Sequence, residues 1–324
     1  MKELKFWQAI NEAMHEEFAR DDCVTLSGID AGTPGGAFSA SRGLLERFGP
    51  LRVRDTPISE AAIAGLGVGA AMNGLRPIVE IMFMDFLSLA LEQLAGQGAK
   101  QHFMSTGRLR VPLTVRTMCA AGRNAGPQHA GSLETWVAHI PGLKVVWPST
   151  PGDVKGLLKA AIRDDNPVIV IENLSLWTAK GPVGGEDHVI EIGKSEVKRA
   201  GRDVTLVCVG SMVQRALAAA GELSAEGIEV EVLDLRTVSP LDREGILASV
   251  ARTHRLVIAH DAAKPFGFGA EVAAIVAEEA LTELDAPIRR VTAPWAPLGT
   301  APAQELAYYP GTEDLKAAVR SLLG

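Results

Sequence analysis

Short apolar runs alternate with longer stretches of helical periodicity from one end of the chain to the other. The apolar runs predict strands at 23–26, 77–82, 111–116, 143–146, 168–171, 204–209, 228–233, 256–259 and 287–291. The periodic stretches predict helices at 5–20, 59–73, 86–104, 132–139, 151–163, 212–226, 241–252, 269–284 and 313–323. Strands that alternate with helices are typical of parallel sheets. We therefore expect an α/β protein built from two consecutive parallel-sheet domains.

A change of composition near the middle of the chain indicates a domain boundary. With 324 residues, the chain exceeds the usual size of one hydrophobic core. Residues 180–187 are rich in Gly and Pro and follow the last strand predicted for the first half. We place one domain at 1–185 and the other at 186–324.

Composition and charge argue against several classes of protein. A formal net charge of −7, with no basic run, argues against a nucleic-acid binder. No apolar segment is long enough to span a bilayer, and no apolar core of signal-peptide length follows the N terminus. The widely spaced Cys23, Cys119 and Cys208 favour buried free thiols in a reducing compartment. We expect a cytoplasmic protein with no nucleic-acid or membrane partner.

One acidic residue, Glu60, heads an uncharged helical stretch of small residues at 61–72. A helix of this kind packs closely against other backbone and would carry the carboxylate into the protein, where burial without a partner is costly. Two interpretations fit this pattern equally well. Glu60 is a buried catalytic acid, or it merely complements the helix dipole beside Ser59 as an N-cap.

Other signatures of chemistry are absent or weak. Residues 65–70 match a dinucleotide-binding Gly pattern, but that motif needs a preceding strand, and here a helix is predicted. No zinc-like ligand spacing, Gly-x-Ser-x-Gly or phosphate loop is present. The Gly-rich segments 27–50 and 117–131 are long enough to be functional loops. His129 in the second segment suits proton transfer, although a lone loop histidine is more often structural, and Phe86 is either core or part of a ligand site at a strand end.

A series of motifs occurs in a characteristic order over nearly the whole chain. They are Asp-Thr-Pro-Ile-Ser-Glu (55–60), Gly-Leu-Arg-Pro (74–77), Gln-His (128–129), Pro-Gly-Leu-Lys-Val-Val (141–146), Ala-Ile-Arg-Asp-Asp-Asn-Pro (161–167) and Asp-Leu-Arg-Thr-Val-Ser-Pro-Leu-Asp (234–242). Together they resemble the β subunit of thiamine-diphosphate-dependent 2-oxoacid dehydrogenases, a family that includes the pyruvate, branched-chain and acetoin enzymes. The resemblance implies a transketolase-like pyrimidine-binding domain followed by a transketolase C-terminal domain.

The resemblance also implies roles for individual residues. Glu60 would hydrogen-bond the aminopyrimidine ring of thiamine diphosphate and promote the imino form that takes the proton from the thiazolium carbon. Phe86 would stack on the same ring, and Ile58 and Met82 would line the cofactor site. His129 would act on the substrate or on the lipoyl group. A carboxyl in an apolar setting suits the role of Glu60, because desolvation raises its pKa.

Ions and partners follow from the same resemblance. Mg²⁺ and the diphosphate are held in such enzymes by a Gly-Asp-Gly motif, which this chain lacks, so it carries half a cofactor site. An α subunit would supply the other half in a two-α two-β heterotetramer, and a lipoyl acyltransferase core would accept the acyl group. Backbone oxygens of a potassium site would come from Leu113, Ala161, Ile162, Asp164 and Asn166.

Departures from the family pattern leave the substrate open. Ile29 replaces an acid of a polar path between paired active sites, although Glu92 keeps another acid of that path. Residues 117–124 lack the usual Gly-rich run, and Ala-Gly follows His129 in place of Ser-Gln. We expect decarboxylation of a 2-oxoacid, or cleavage of acetoin, with transfer of the acyl unit to a lipoyl or another acceptor. The alternatives are half of a split transketolase that moves a two-carbon ketol unit, and a non-catalytic subunit, against which the retained site residues argue.

Overall fold

Two sheets of mainly parallel strands form the interior of the molecule. The computed structural model describes residues 1–33, 35–36 and 38–324. The strands are β1 (Lys2–Lys5), β2 (Val24–Gly28), β3 (Val53–Asp55), β4 (Arg76–Phe83), β5 (Thr114–Cys119), β6 (Lys144–Val146), β7 (Val168–Asn173), β8 (Lys180–Val183), β9 (Glu196–Arg199), β10 (Val204–Cys208), β11 (Val230–Asp234), β12 (Thr237–Ser239), β13 (Leu256–Ala263) and β14 (Arg289–Ala293). The expected architecture of two parallel-sheet α/β domains is confirmed.

Helices cover both sheets. They are α1 (Phe6–Arg20), α2 (Leu44–Phe48), α3 (Glu60–Met72), α4 (Leu87–Leu91), α5 (Gln101–Met104), α6 (Glu134–Ala138), α7 (Pro151–Arg163), α8 (Met212–Ser224), α9 (Arg243–Thr253), α10 (Phe268–Glu279), α11 (Pro302–Tyr308) and α12 (Thr312–Arg320). In the part of the chain that the structure describes, none of these helices has the length and apolar character needed to cross a membrane.

The larger sheet has the strand order β12-β6-β7-β5-β4-β2-β3. All of its strands run parallel except β12, which reaches over from the second half of the chain and pairs antiparallel with β6. The smaller sheet has the order β14-β13-β10-β11-β9, in which only β9 is antiparallel. Because parallel strands end at the same edge, the loops that follow β3, β4 and β5 meet on one side of the larger sheet.

Part of the predicted interdomain linker is a strand. Residues 180–187 were expected to form turns, but β8 pairs antiparallel with β1 at the N terminus, with Lys2 opposite Val183 and Lys5 opposite Lys180. The partner strand lies nearly 180 residues away in sequence. Local composition cannot reveal such a pairing, because it depends on where the N-terminal strand meets residues 180–183 in the folded chain.

Predicted helices agree best where local capping is strong. Helix α7 has the predicted bounds, since the Thr150 side chain accepts a hydrogen bond from the backbone of Asp153 at 3.1 Å and Pro151 occupies the first turn. The single helix predicted at 86–104 is wrong. It is divided into a 3₁₀ turn at Met84–Phe86, α4, a π-helix at Glu92–Gly98 and α5.

One thiol differs from expectation. Cys119 and Cys208 are buried and free, as predicted, but Cys23 is exposed. Strand β2 begins one residue later, and the backbone N–H of Cys23 donates to Oδ1 of Asp21 at 2.9 Å in the turn before the strand. That turn holds the side chain outside the sheet.

A buried ion triad joins the three central strands of the larger sheet. Arg116 on β5 donates to Glu80 on β4 at 2.7 Å, and its Nε and Nη2 donate to Glu172 on β7 at 2.8 and 2.9 Å. The guanidinium is only 1% exposed. Burial raises the pKa of Glu172, while Arg116 opposes that rise. The two carboxylates therefore depend on one cation.

We predict that Arg116→Met lowers the free energy of unfolding by about 3–5 kcal/mol, because it leaves two buried carboxylates uncompensated. Urea unfolding of the chain measures this change. Arg110→Met is the matched control, since Arg110 also pairs with a carboxylate, that of Asp165, but is 67% exposed. This substitution should lower the free energy of unfolding by less than about 1 kcal/mol. Equal losses of unfolding free energy in the two variants would show that the buried triad stabilises the chain no more than an exposed ion pair does.

Candidate active site

The site residues expected from the sequence follow three strands at the same edge of the larger sheet. Glu60 comes shortly after β3, Met82 lies at the end of β4 with Phe86 just beyond it, and His129 lies in the loop after β5. Helix α3 packs against β4. A Cβ at Gly67 would stand 2.7 Å from a methyl group of Val79 on β4, so only glycine permits this approach. The rejected dinucleotide motif is thus a helix-packing surface.

The segment before Glu60 is fixed by its backbone. The N–H of Thr56 donates to the carbonyl of Gly28 at the end of β2 at 3.0 Å, and Asp55 accepts from the N–H of Gly32 at 2.6 Å. Helix α3 then begins at Glu60 itself. The side chain of Ser59 makes no capping hydrogen bond, so that part of the dipole interpretation is wrong.

Glu60 is largely buried and has no hydrogen-bond partner among the described residues. The residue is 5% exposed, and its carboxylate makes no hydrogen bond to any residue that the structure describes. Its oxygens are not among the side-chain atoms that are both shielded from solvent and unpaired, so a bound molecule can reach them. A protonated ring nitrogen or an amino group of such a molecule would donate to them. The aminopyrimidine of thiamine diphosphate carries both, so the residues present fit this group.

The other two predicted cofactor contacts differ in exposure. Ile58 is 81% exposed on the surface that leads to Glu60, while Met82 is half-buried at the end of β4. Ile58 is therefore accessible to a bound molecule from solvent. Both positions stay predicted cofactor contacts.

The structure brings Phe86 and His129 together. Their rings are 5.5 Å apart and nearly perpendicular, and the ring of Phe83 lies 5.0 Å from His129 and 6.1 Å from Phe86, again edge to face. Edge-to-face packing of this kind restricts ring rotation. His129 is therefore a half-buried side chain held by two aromatic rings, and Phe83 is a site residue that the sequence analysis missed.

Asp85 is a second residue that the sequence analysis missed. Both of its carboxylate oxygens accept from the N–H of Gly131 at 3.2 Å. A Cβ at position 131 would stand 2.5 Å from Asp85 Oδ1, so any other residue there would displace the Asp85 side chain. Burial raises the pKa of Asp85, and the nearby His129 opposes that rise. Asp85 thus occupies the space next to Gly131 where a side chain would lie.

Glu134 is a buried acid directly behind the His129 loop. It is the first residue of α6 and is fully buried. Burial raises its pKa to about 7, and the negative charge of Asp261 from the smaller sheet adds to the rise. No sequence signal separated this glutamate from an ordinary first-turn acid.

The oxygens predicted to hold potassium lie around the end of α7. The guanidinium of Arg76 donates to the backbone oxygens of Ile162 and Asp164, both at 3.1 Å. A cationic side chain therefore occupies part of this cluster. The remaining predicted positions make backbone or side-chain hydrogen bonds within the protein: Leu113, Ala161 and Asn166. Among the described residues, no group of three or more His, Cys, Asp or Glu is arranged to hold a metal ion.

The two positions that the resemblance assigns to a polar path differ in their surroundings. Ile29 packs partly buried against the hydrophobic core. Glu92 is exposed at the start of the π-helix and accepts hydrogen bonds from Gln93 and Gln97. The two positions thus carry one acid between them.

Comparisons with known proteins identify the family of this chain. Residues 2–178 match the family model of the transketolase pyrimidine-binding domain, and residues 193–315 match that of the transketolase C-terminal domain. In Bacillus subtilis, the 2-oxoisovalerate dehydrogenase subunit beta is 43% identical, over 99% of this chain and 99% of its own. The acetoin:2,6-dichlorophenolindophenol oxidoreductase subunit beta of the same organism is 44% identical, over 98% of this chain and 96% of its own. The chain belongs to the family of 2-oxoacid dehydrogenase β subunits.

Further relatives support the assignment to this β-subunit family. The pyruvate dehydrogenase E1 component subunit beta of Bacillus subtilis is 41% identical over 100% of this chain and 99% of its own. Among solved structures, a chain described as split gene transketolase, inactive β4 tetramer, has a TM-score of 0.80 at 23% identity and covers 98% of this chain and 97% of its own. The structural likeness shows a shared fold. The resemblance inferred from the sequence motifs is confirmed, and this β subunit belongs to a thiamine-diphosphate-dependent family that pairs it with an α subunit.

We predict that the buried Glu134 makes stability fall as pH rises. Its pKa is about 7 in the folded chain against 4.5 ordinarily, so between these values the folded state holds a proton that the unfolded state releases. The free energy of unfolding should therefore decrease from pH 4.5 to 7. Glu134 should contribute up to about 3 kcal/mol to this decrease.

Urea unfolding at pH 5 and pH 7.5 measures the contribution of Glu134 to this decrease. Glu134→Gln should flatten the decrease, because a neutral amide holds no titrating proton. Glu313→Gln, on an exposed side chain, serves as control and should keep the parental pH dependence. An unchanged pH dependence in Glu134→Gln would contradict the assignment.

Proposed function

We propose that this β subunit works in a decarboxylating component that takes a 2-oxoacid, or acetoin, and passes the acyl unit to a lipoyl group. The observation that carries the proposal is the carboxylate of Glu60, a largely buried residue at the carboxyl edge of the larger sheet, which has no hydrogen-bond partner among the described residues. It lies in the motif that matches the family, and at an edge where ligands bind in α/β proteins.

Glu60, Phe86, Ile58 and Met82 would hold the pyrimidine half of thiamine diphosphate. When bound, this cofactor supplies the carbon nucleophile and the electron sink that decarboxylation requires. Glu60 contributes a carboxyl that no other described residue engages, and such a carboxyl can share a proton with a ring nitrogen. Phe86 contributes an aromatic ring at the same edge, fixed by its contacts with Phe83 and His129.

His129 is the proton-transfer group that we place toward the substrate or the acyl acceptor. An imidazole exchanges protons near neutral pH, and its usefulness depends on a fixed orientation. Two edge-to-face rings hold it on one side, and the Asp85 bond to Gly131 holds its loop on the other. It can therefore donate a proton to an oxygen or sulfur at a defined place.

An α subunit completes the site in this proposal. The exposed face of α3 carries Ala61, Ala62, Leu66 and Gly69, and large apolar side chains are exposed near it in the chain: Ile58, Leu89, Phe103 and Met104. A small-residue helix face lets a partner helix approach closely, and exposed apolar surface of this kind is typical of interfaces. We propose a two-α two-β heterotetramer in which the α subunit holds Mg²⁺ and the diphosphate, and which docks on a lipoyl acyltransferase core.

Three smaller expectations belong to the same proposal. The division into domains at 1–185 and 186–324 is supported by the two sheets and by the residues that each family model matches. Potassium near Ile162 and Asp164 would have to share the oxygens with Arg76. A cytoplasmic site of action is supported by three free cysteines.

The alternative is half of a split transketolase, and the structural likeness at 23% identity favours it only at the level of fold. The relatives at 41–44% identity favour the dehydrogenase. With the α subunit, thiamine diphosphate and Mg²⁺ present, reduction of a dye by pyruvate, branched 2-oxoacids or acetoin would support the dehydrogenase. Ketol transfer without dye reduction would contradict the dehydrogenase proposal.

We predict that Glu60→Gln lowers kcat of the assembled enzyme by about 100-fold or more, because a carboxamide cannot share a proton with the ring. The fold should be unaffected, as judged by circular dichroism. Glu46→Gln is the matched control, since Glu46 is also a first-turn helix acid but is exposed. If both variants kept near-normal turnover, Glu60 would be only a dipole-complementing acid.

We predict that Leu66→Lys weakens association with the α subunit by at least about tenfold, because it places a charge in an apolar contact. Leu66 is 46% exposed in the free chain, so the chain itself should remain folded. Leu281→Lys, at an exposed leucine of the second half, is the control. Sedimentation of α and β mixtures measures the change, and unaltered association of Leu66→Lys would place the interface elsewhere.

A further inference from the structure

The loop that carries His129 is tied to the second half of the chain. The carboxylate of Glu305 on α11 accepts from the backbone N–H of Gly122 at 3.0 Å and from that of Asn124 at 2.5 Å. The hydroxyl of Tyr309, directly after α11, donates to the carbonyl of Ala130 at 3.1 Å. These bonds hold the loop on both sides of His129.

Both anchoring side chains are buried. Glu305 is 4% exposed and Tyr309 is 7% exposed. Burial raises the pKa of Tyr309, so its hydroxyl keeps its proton and stays a donor. A buried carboxylate that accepts two N–H bonds would be costly to leave unpaired. The two contacts are therefore fixed features of the domain interface.

The backbone of the loop needs such anchoring. Gly122, Asn124 and Gly126 all have positive φ, at 84°, 56° and 75°. A Cβ at Gly126 would stand 2.6 Å from a methyl group of Thr300, so the loop touches the second half closely there. For the non-glycine Asn124 this conformation is uncommon, and surrounding contacts must maintain it.

Packing of the loop is incomplete on one side. A cavity of about 220 Å³ separates Ala130 and Ser132 from Asp261 and Leu298 in the second half. Ala130 itself belongs to the hydrophobic core, and beside the cavity hydrogen bonds add to its packing. Tyr309 lines this cavity and bridges it with its bond to Ala130.

We propose that Glu305 and Tyr309 are positioning residues for His129, which they hold at the active site by fixing its loop against the second half of the chain. The proposal rests on the function proposed for His129. Neither residue touches the reacting groups, and each acts through the backbone of the loop. A displacement of about 1 Å in a proton-transfer group can cost about 100-fold in rate.

Kinetics of the assembled α and β enzyme test the proposal. Tyr309→Phe removes only the hydroxyl and should lower kcat for acyl transfer about tenfold, with the affinity for thiamine diphosphate unchanged. In a His129→Ala background the same substitution should have no further effect, because its influence passes through His129. Tyr308→Phe is the matched control, since the Tyr308 hydroxyl bonds the carbonyl of Ala296 within the second half, and it should keep parental kcat.

Hydrogen exchange of the β chain gives a readout that does not depend on catalysis. Glu305→Gln should speed exchange at the amides of Gly122 and Asn124 at least about tenfold, and Glu313→Gln should not. Unchanged exchange, or an equal loss of kcat from Tyr309→Phe with and without His129, would overturn the proposal. A His129→Ala enzyme of normal kcat would instead overturn the function proposed for His129, and the exchange data would show whether the anchoring itself holds.

Discussion

The buried guanidinium of Arg116 is the interaction on which the arrangement of the site depends. It joins β5 to Glu80 on β4 and to Glu172 on β7, and so fixes the relative positions of three neighbouring strands. Strand β4 leads to Phe86, and β5 leads to the loop of His129. Because the strands are parallel and their ends coincide, fixing them deep in the sheet also fixes where the two rings meet at its edge.

Local signals in the sequence predicted the fold well wherever capping and periodicity decide the outcome. Helix α7 has the predicted bounds because Thr150 and Pro151 mark its start, and α3 was predicted within a residue at each end. Features that depend on distant partners could not be predicted, as the pairing of β1 with β8 shows. The prediction for 86–104 was also wrong, because one helical pattern covers the whole run and does not mark the π-helix at Glu92–Gly98.

Some residues of the candidate site could likewise be predicted from local sequence patterns, and others could not. Glu60, Phe86 and His129 could be singled out from motifs and strand ends, since each lies within a few residues of a recognisable local pattern. Asp85 could have been found from its position beside Phe86. Glu305 and Tyr309 could not, because they lie about 180 residues from the loop they contact and carry no motif of their own. Such residues can be recognised only from the packing between the two domains.

Glu60 links these observations to assembly. A largely buried glutamate with no partner among the described residues, beside exposed apolar side chains, is typical of one wall of a site rather than of a whole site. The most direct test is calorimetric titration of thiamine diphosphate with Mg²⁺ into the β chain alone and into the assembled α and β enzyme. We expect little heat with β alone and tight binding to the assembly, lost with Glu60→Gln. Tight binding to β alone would contradict the half-site account.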